Sequence, residues 1–294
     1  MPARPTPSGL SAWLGRFLAM AVAIAIAIAA LPAAAAAASD GAGAGAGERD
    51  PAPLARLEIV DRGAGPEAWA ENLLSGPIEV MLRATGAAPP AEPALPARAT
   101  VPARARVLVS RIGRADAQLV LEVVPGHPGA RPLDGEYAWP LGSRTLRVSQ
   151  GWGGTFSHRD DENRHAVDFA TPEGTPVLAA REGVVMQVED RFGSGGLGSS
   201  DDTGRANFVR ILHNDGTMAL YAHLAPAGAR VRAGERVRRG QRIATSGNTG
   251  YSGGPHLHFA VQANRGLRLV SLPFRMFGPG GILRFTDAAV GVEE

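Results

Sequence analysis

Through most of the chain, apolar residues alternate with polar ones in short runs, and clusters of glycine and proline separate those runs. Period-two patterning of this kind belongs to strands with one buried face. The runs LEIV from Leu57, IEVML from Ile78, RVLVSRI from Arg106 and QLVLEVV from Gln118 predict a small β-sandwich. Between them, Ala87 to Pro102 is too rich in proline for a central strand and is expected as a crossing loop or edge segment. A turn at RPLDG, Arg131 to Gly135, opens a second series, with strands expected at Leu146 to Ser149, Ala166 to Ala170, Gly183 to Val188, Phe208 to His213, Met218 to His223 and Leu257 to Val261. No segment shows helical periodicity. Val231, Val237 and Ile243 recur every six positions with glycines between them, which reads as a hairpin closing a small barrel or sandwich. The expected class is all-β: a small N-terminal β-sandwich-like domain and a C-terminal β-sandwich or barrel.

The N-terminus departs from this texture. Arg4 and Arg16 precede an unbroken apolar run from Phe17 to Leu31, followed by Pro32 and alanines that supply A-x-A sites. Residues 1–38 therefore read as an export signal, and Phe17 through Ala38 is long enough to serve as an uncleaved anchor. Residues 39–56, rich in Gly and Ala, carry too little apolar bulk to offset the entropy of ordering and read as a flexible tether. Domains are then expected at 57–132 and 133–294. The formal charge of +2 resides in the two arginines of the leader. Without them acidic and basic residues balance, which removes the electrostatic motive for binding nucleic acid. The membrane is met only through the N-terminal segment, if that is retained. Six arginines between Arg230 and Arg242 are read equally as attraction to an anionic polymer and as a solvated face.

Two absences narrow the chemistry. The chain has no cysteine, so a metal must rest on imidazole and carboxylate ligands. All 30 basic residues are Arg, which excludes Schiff-base and phosphate-loop lysines. Six of the seven histidines, His158, His165, His213, His223, His256 and His258, lie in the second half. In Pro255-His256-Leu257-His258-Phe259 the strand period puts both imidazoles on one face and Leu257 and Phe259 on the other. Along His165 to Phe169 the same alternation separates His165 from Asp168. His158, reached through the intervening RDDENR, is the better partner. His158, Asp168 and one of the two histidines of the H-x-H pair thus form a two-imidazole, one-carboxylate set of the kind that binds zinc and leaves a position open. His223 in Tyr221-Ala222-His223-Leu224 offers a further imidazole. His127 and His213 read as turn and strand-end residues, and Glu162, Glu173 and Glu182 as solvated turn residues. The glycine-rich loop between Arg191 and Arg205 is placed to border a substrate groove.

Three blocks in order, SHRDDENRHAVDFATPEGTPVLAAREGVV, LHNDGTMALYAHL and VRAGERVRRGQRIATSGNTGYSGGPHLHFAV, resemble the motifs of the lysostaphin-type zinc endopeptidases that cut peptidoglycan peptides. The resemblance spans Tyr137 to Phe277. It implies a lysostaphin-like catalytic domain with one Zn2+ per chain on His158, Asp168 and His258, and His223 and His256 as catalytic histidines that assist the attacking water without binding metal. It further implies peptidoglycan peptides as partners and the periplasm or cell envelope as the location. Ten positions separate His158 from Asp168, where the familiar spacing is H-x-x-x-D, and His165 stands three before the aspartate. A member that has lost catalysis and binds the wall or activates a partner hydrolase would be expected to lack ligands; all five positions are filled here.

Overall fold

The computed structural model of the chain describes residues 24–25, 51–133, 135–197, 204–278, 280–286 and 289–292. The expected leader and most of the expected tether lie outside these residues, apart from a two-residue ladder of Ile24–Ala25 beside Leu121 and Glu122. Among the described residues no helix is long and apolar enough to cross a membrane, and every regular element is a strand.

Two four-stranded sheets form the N-terminal part. One contains Ala55–Asp61, Pro66–Asn72 and Arg106–Ile112, with Ala91–Glu92 at its edge; the other contains Leu119–Pro125, Ile78–Ala84 and Ala97–Val101. Their facing side chains, Ala68, Ala70 and Val109 against Ile78, Val80, Leu82, Leu121 and Val123, share one core. The strand Pro66–Asn72 escapes a hydropathy reading because its buried positions are Pro66, Ala68, Ala70 and Asn72, small or polar residues that nonetheless alternate. Buried Asn72 closes the turn after it, donating to Gly76 and Val101 carbonyls and accepting from Leu74 N–H. The first strand begins at Ala55, ahead of Leu57. The proline-rich stretch supplies only edge strands, as its missing donors require.

The C-terminal part is built on an eight-stranded sheet in the order Val148–Gln150, Val167–Ala170, His256–Asn264, Met218–Ala222, Phe208–Leu212, Gly183–Glu189 and Arg236–Val237, with Leu269–Ser271 beside His256–Asn264. One face turns Val167, Phe169, Val209, Ile211, Tyr221, Leu257, Phe259 and Val261 into the main core. The opposite face carries His256, His258, Ala260 and Gln262 from one strand and Met218 and Ala222 from its neighbour, which pair at Met218 with Gln262 and at Ala222 with His258. The segment Val231 to Ile243 is not the expected hairpin. Its two short strands pair elsewhere, Arg236–Val237 with Gly183–Glu189 and Arg242–Thr245 with Pro176–Leu178. Gly234 and Gly240, at φ of 93° and 81°, turn the chain twice in succession, and each turn delivers one residue of the six-residue period to the core.

The N-terminal sheets rest on the histidine-bearing face, at its far end. Met186, Met218 and Leu269 belong to the N-terminal core; Ser75 N–H donates to the Met186 carbonyl and Asn264 Nδ2 to the Gly126 carbonyl. Met218 and Ala222 are four positions apart on one strand, roughly 13 Å. The sheets therefore cover the Met218 end of the face, and Ala222 and His258 lie outside their shared core.

Candidate active site

Asp168 sits on Val167–Ala170 directly opposite His258 on the adjacent antiparallel strand. Its Oδ1 lies 2.9 Å from His258 Nδ1 and 3.2 Å from His158 Nε2. All three residues are buried, and one donor atom from each falls within 4.8 Å of the others. Two imidazole nitrogens and a carboxylate oxygen at this separation form a donor set that zinc accepts. His158 arrives on the loop after Val148–Gln150, whose backbone folds back so that His158 N–H donates to the Gly154 carbonyl. His165 is held elsewhere: its Nδ1 is 3.0 Å from the Ser271 carbonyl and its ring meets Trp152 edge-on.

His223 and His256 complete the cluster, with ring centroids 4.5 Å apart. His256 Nε2 lies 3.7 Å from Asp168 Oδ1. Three of the four rings share one anchoring pattern: Nδ1 of His158 faces the Gly151 carbonyl at 2.8 Å, that of His223 the Thr249 carbonyl at 2.7 Å and that of His256 the Gly254 carbonyl at 2.8 Å. A carbonyl only accepts, so Nδ1 carries a proton in each; the Nε2 lone pairs of His223 and His256 remain available, while Nε2 of His158 faces Asp168. Backbone geometry shows the constraint too. His223 has φ of 59°, a left-handed conformation uncommon outside glycine and concentrated at functional sites.

The electrostatics follow from burial and pairing. Burial raises the Asp168 carboxyl, but hydrogen bonds to His158 and His258 outweigh it and hold the group well below the usual carboxylate range. Desolvation, with the neighbouring imidazoles of His256 and His258, pushes His223 down to about 3 and keeps it neutral.

Sequence reasoning missed the residues that brace this cluster. Gln150 Nε2 donates to Asp168 Oδ2 at 3.1 Å. Asn207, wholly buried, takes Phe192 N–H on its side-chain oxygen, receives Leu224 N–H on its carbonyl and donates its own N–H to Thr249 Oγ1, so it fixes the segments on both sides of His223. Neither stood out, because amides in a glycine-rich sequence carry no spacing signal. At the rim, Phe156 stacks on Tyr251 with centroids 5.6 Å apart and an interplanar angle of 14°. The loop after Arg191 does reach the site: Gly195–Gly196 pairs with Gly250–Tyr251, just before the H-x-H strand. His213 lies outside the cluster, its Nδ1 2.7 Å from the Glu182 carbonyl, and His127 caps its own turn by accepting Gly129 N–H.

An all-β sheet that gathers two imidazoles and a carboxylate beside two further histidines offers a metal-binding donor set with spare imidazoles for proton transfer, as a metallopeptidase requires. Residues 162–268 match the model of Peptidase family M23, and the chain carries an M23 peptidase domain. Asp168, His223, His256 and His258 fall within that span and His158 just before it. The DD-carboxypeptidase/endopeptidase Mpg of Neisseria meningitidis serogroup B is 40% identical over 98 residues, covering 33% of this chain and 20% of that protein. The peptidoglycan DD-endopeptidase ShyA of Vibrio cholerae is 40% identical over 97 residues, again 33% and 20%. The chain thus spans about a fifth of the length of these curated relatives. Among solved structures, the antimicrobial peptidase lysostaphin from Staphylococcus simulans is 32% identical, covering 40% of this chain and 43% of that one with a TM-score of 0.30.

Proposed function

We propose that the protein is an exported zinc-dependent endopeptidase that hydrolyses peptide cross-links of peptidoglycan. The observation that carries this reading is the convergence of His158, Asp168 and His258 within 4.8 Å, beside His223 and His256. The peptidoglycan substrate is supported by the M23 domain and by the activities named for Mpg and ShyA. Export is supported by the leader pattern of residues 1–38.

His158, Asp168 and His258 would hold one Zn2+. A zinc ion there supplies a Lewis acid for the scissile carbonyl and lowers the pKa of the attacking water. The remaining work falls to the protein. His256, with Nδ1–H tied to Gly254, presents Nε2 to take the proton of the attacking water and return it to the leaving amine. His223, kept neutral by burial, orients that water through its Nε2 lone pair. Asp168 remains ionised and offsets positive charge at the centre.

The test is to purify the chain, measure zinc per chain, and follow muropeptide release by mass spectrometry for wild type and His256→Ala. The expected result is one zinc in both proteins and release only by wild type. A wild type without metal and without activity would favour a wall-binding role.

A further inference from the structure

Asp168 has two carboxylate oxygens, and the histidines converge on only one. Oδ1 faces His158, His256 and His258. Oδ2 receives Gln150 Nε2 at 3.1 Å. Gln150 ends the strand Val148–Gln150 and pairs with Asp168 across a bulge in the ladder, which places its side chain beside the carboxylate. The same nitrogen donates to Ser157 Oγ at 2.7 Å, while Oε1 accepts Phe156 N–H at 3.1 Å and Ser157 N–H at 3.4 Å. One amide therefore grips Asp168 with its donor end and, with its acceptor end, the loop that delivers His158.

Only a carboxamide can do both. A carboxylate has no hydrogen to give Asp168, and an aliphatic chain has neither function. The loop is shaped to admit this side chain. A Cβ built on Gly154 would stand 2.2 Å from Gln150 Cγ and 2.6 Å from Cδ, so any other residue at 154 displaces the amide. That accounts for a glycine in GWGGTFSH which no turn conformation demands: Gly154 does not have the positive φ seen at Gly153.

We propose that Gln150, admitted by Gly154, is a positioning residue that sets the orientation of Asp168 and His158 for zinc. The inference rests on the zinc site proposed above. Hydrogen bonds behind metal ligands hold their rotamers before the ion arrives, and losing one typically weakens metal affinity by roughly 10- to 100-fold.

The experiment measures zinc affinity by competition with a fluorescent chelator for the full chain as wild type, Gln150→Glu, Gln150→Leu, Gly154→Ala and, as a control, Ser149→Ala. Ser149 Oγ reaches only the Asp168 backbone carbonyl. The visible spectrum of each Co2+-loaded protein reports ligand geometry, and near-ultraviolet circular dichroism of the metal-free forms reports folding. Expected are a roughly 10- to 100-fold loss of affinity and an altered Co2+ spectrum in the Gln150 and Gly154 variants, with Ser149→Ala unchanged. Gln150→Glu keeps the shape of the side chain and guards against a folding failure in the others. If Gln150→Glu folds as wild type does and binds zinc as tightly with the same Co2+ spectrum, Gln150 has no such role. A wild type that binds no zinc would instead overturn the site reading itself, which separates the two failures.

Discussion

Asp168 and His258 stand directly opposite each other on neighbouring antiparallel strands, and their Oδ1 and Nδ1 atoms approach to 2.9 Å. Strand register therefore fixes two of the three donors, and only the third depends on a loop. The two candidates for that third position differ in geometry: His158 Nε2 reaches the same Oδ1, whereas His165 bonds to Ser271. Removing His158 should lower bound zinc to well below one per chain after dialysis against a weak chelator, and Asp168→Asn should do the same. His165→Ala should keep its zinc and its muropeptide release. Elemental analysis of the dialysed proteins decides the matter, and retention of metal by His158→Ala with loss by His165→Ala would reverse the assignment.

What could be read in the sequence follows from what alternation encodes. Strands such as Leu119–Pro125 bury branched residues on one face and were visible, as were the shared face of His256 and His258 and the separation of His165 from Asp168. Alternation says nothing of small residues, so Pro66–Asn72 was hidden, and it cannot say which strands pair, so Val231 to Ile243 looked like a hairpin. Gln150 and Asn207 act through contacts distant in the chain, at Asp168 and at Phe192 and Thr249, and no local pattern announces such partners.

His213 provides a pH test away from the proposed zinc site. The ring is buried with Nε2 unpartnered, and desolvation takes it from 6.5 down to about 4. Between those values the unfolded chain binds more protons than the folded one, so stability contributed by the neutral ring is complete above pH 6.5 and is lost as pH falls towards 4. The contribution is about 3 kcal/mol at most. Asp215, held at about 2, titrates in a lower window. Urea midpoints of wild type should therefore fall between pH 6.5 and 4 more steeply than those of His213→Gln; parallel slopes would show that His213 titrates normally.

The N-terminal sheets and the peptidase sheet should unfold together. Gly76 lies against Met186, where an added Cβ would come within 2.8 Å of Cγ and Sδ, and Met186 and Met218 are fully buried in the shared core. Gly76→Val overpacks that contact, and a cost of about 1–3 kcal/mol is expected. Calorimetry should show one transition in wild type and a lower midpoint in the variant. Two well-separated transitions in wild type would mean that the N-terminal sheets are an independent unit.

The aromatic pair at the rim should act on substrate without supporting the fold. Phe156 is 55% exposed and Tyr251 38%, yet their rings stack between two segments that each lead into the site, Phe156 two residues before His158 and Tyr251 beside Ser252, whose Oγ lies 3.2 Å from His256 Nδ1. A stacked pair of large apolar side chains left in the open beside the site offers a ligand a contact surface. Phe156→Ala removes side-chain area that is already largely solvated, so the unfolding free energy should stay within about 0.5 kcal/mol of wild type. If the ring packs on the bound peptide, its loss costs roughly 0.5–1.5 kcal/mol of binding shared equally by ground and transition states. KM for a cross-linked muropeptide should then rise by about threefold to tenfold while kcat holds. An unchanged KM with a lowered kcat would instead place the Phe156 ring in the support of the loop that carries His158, two residues on.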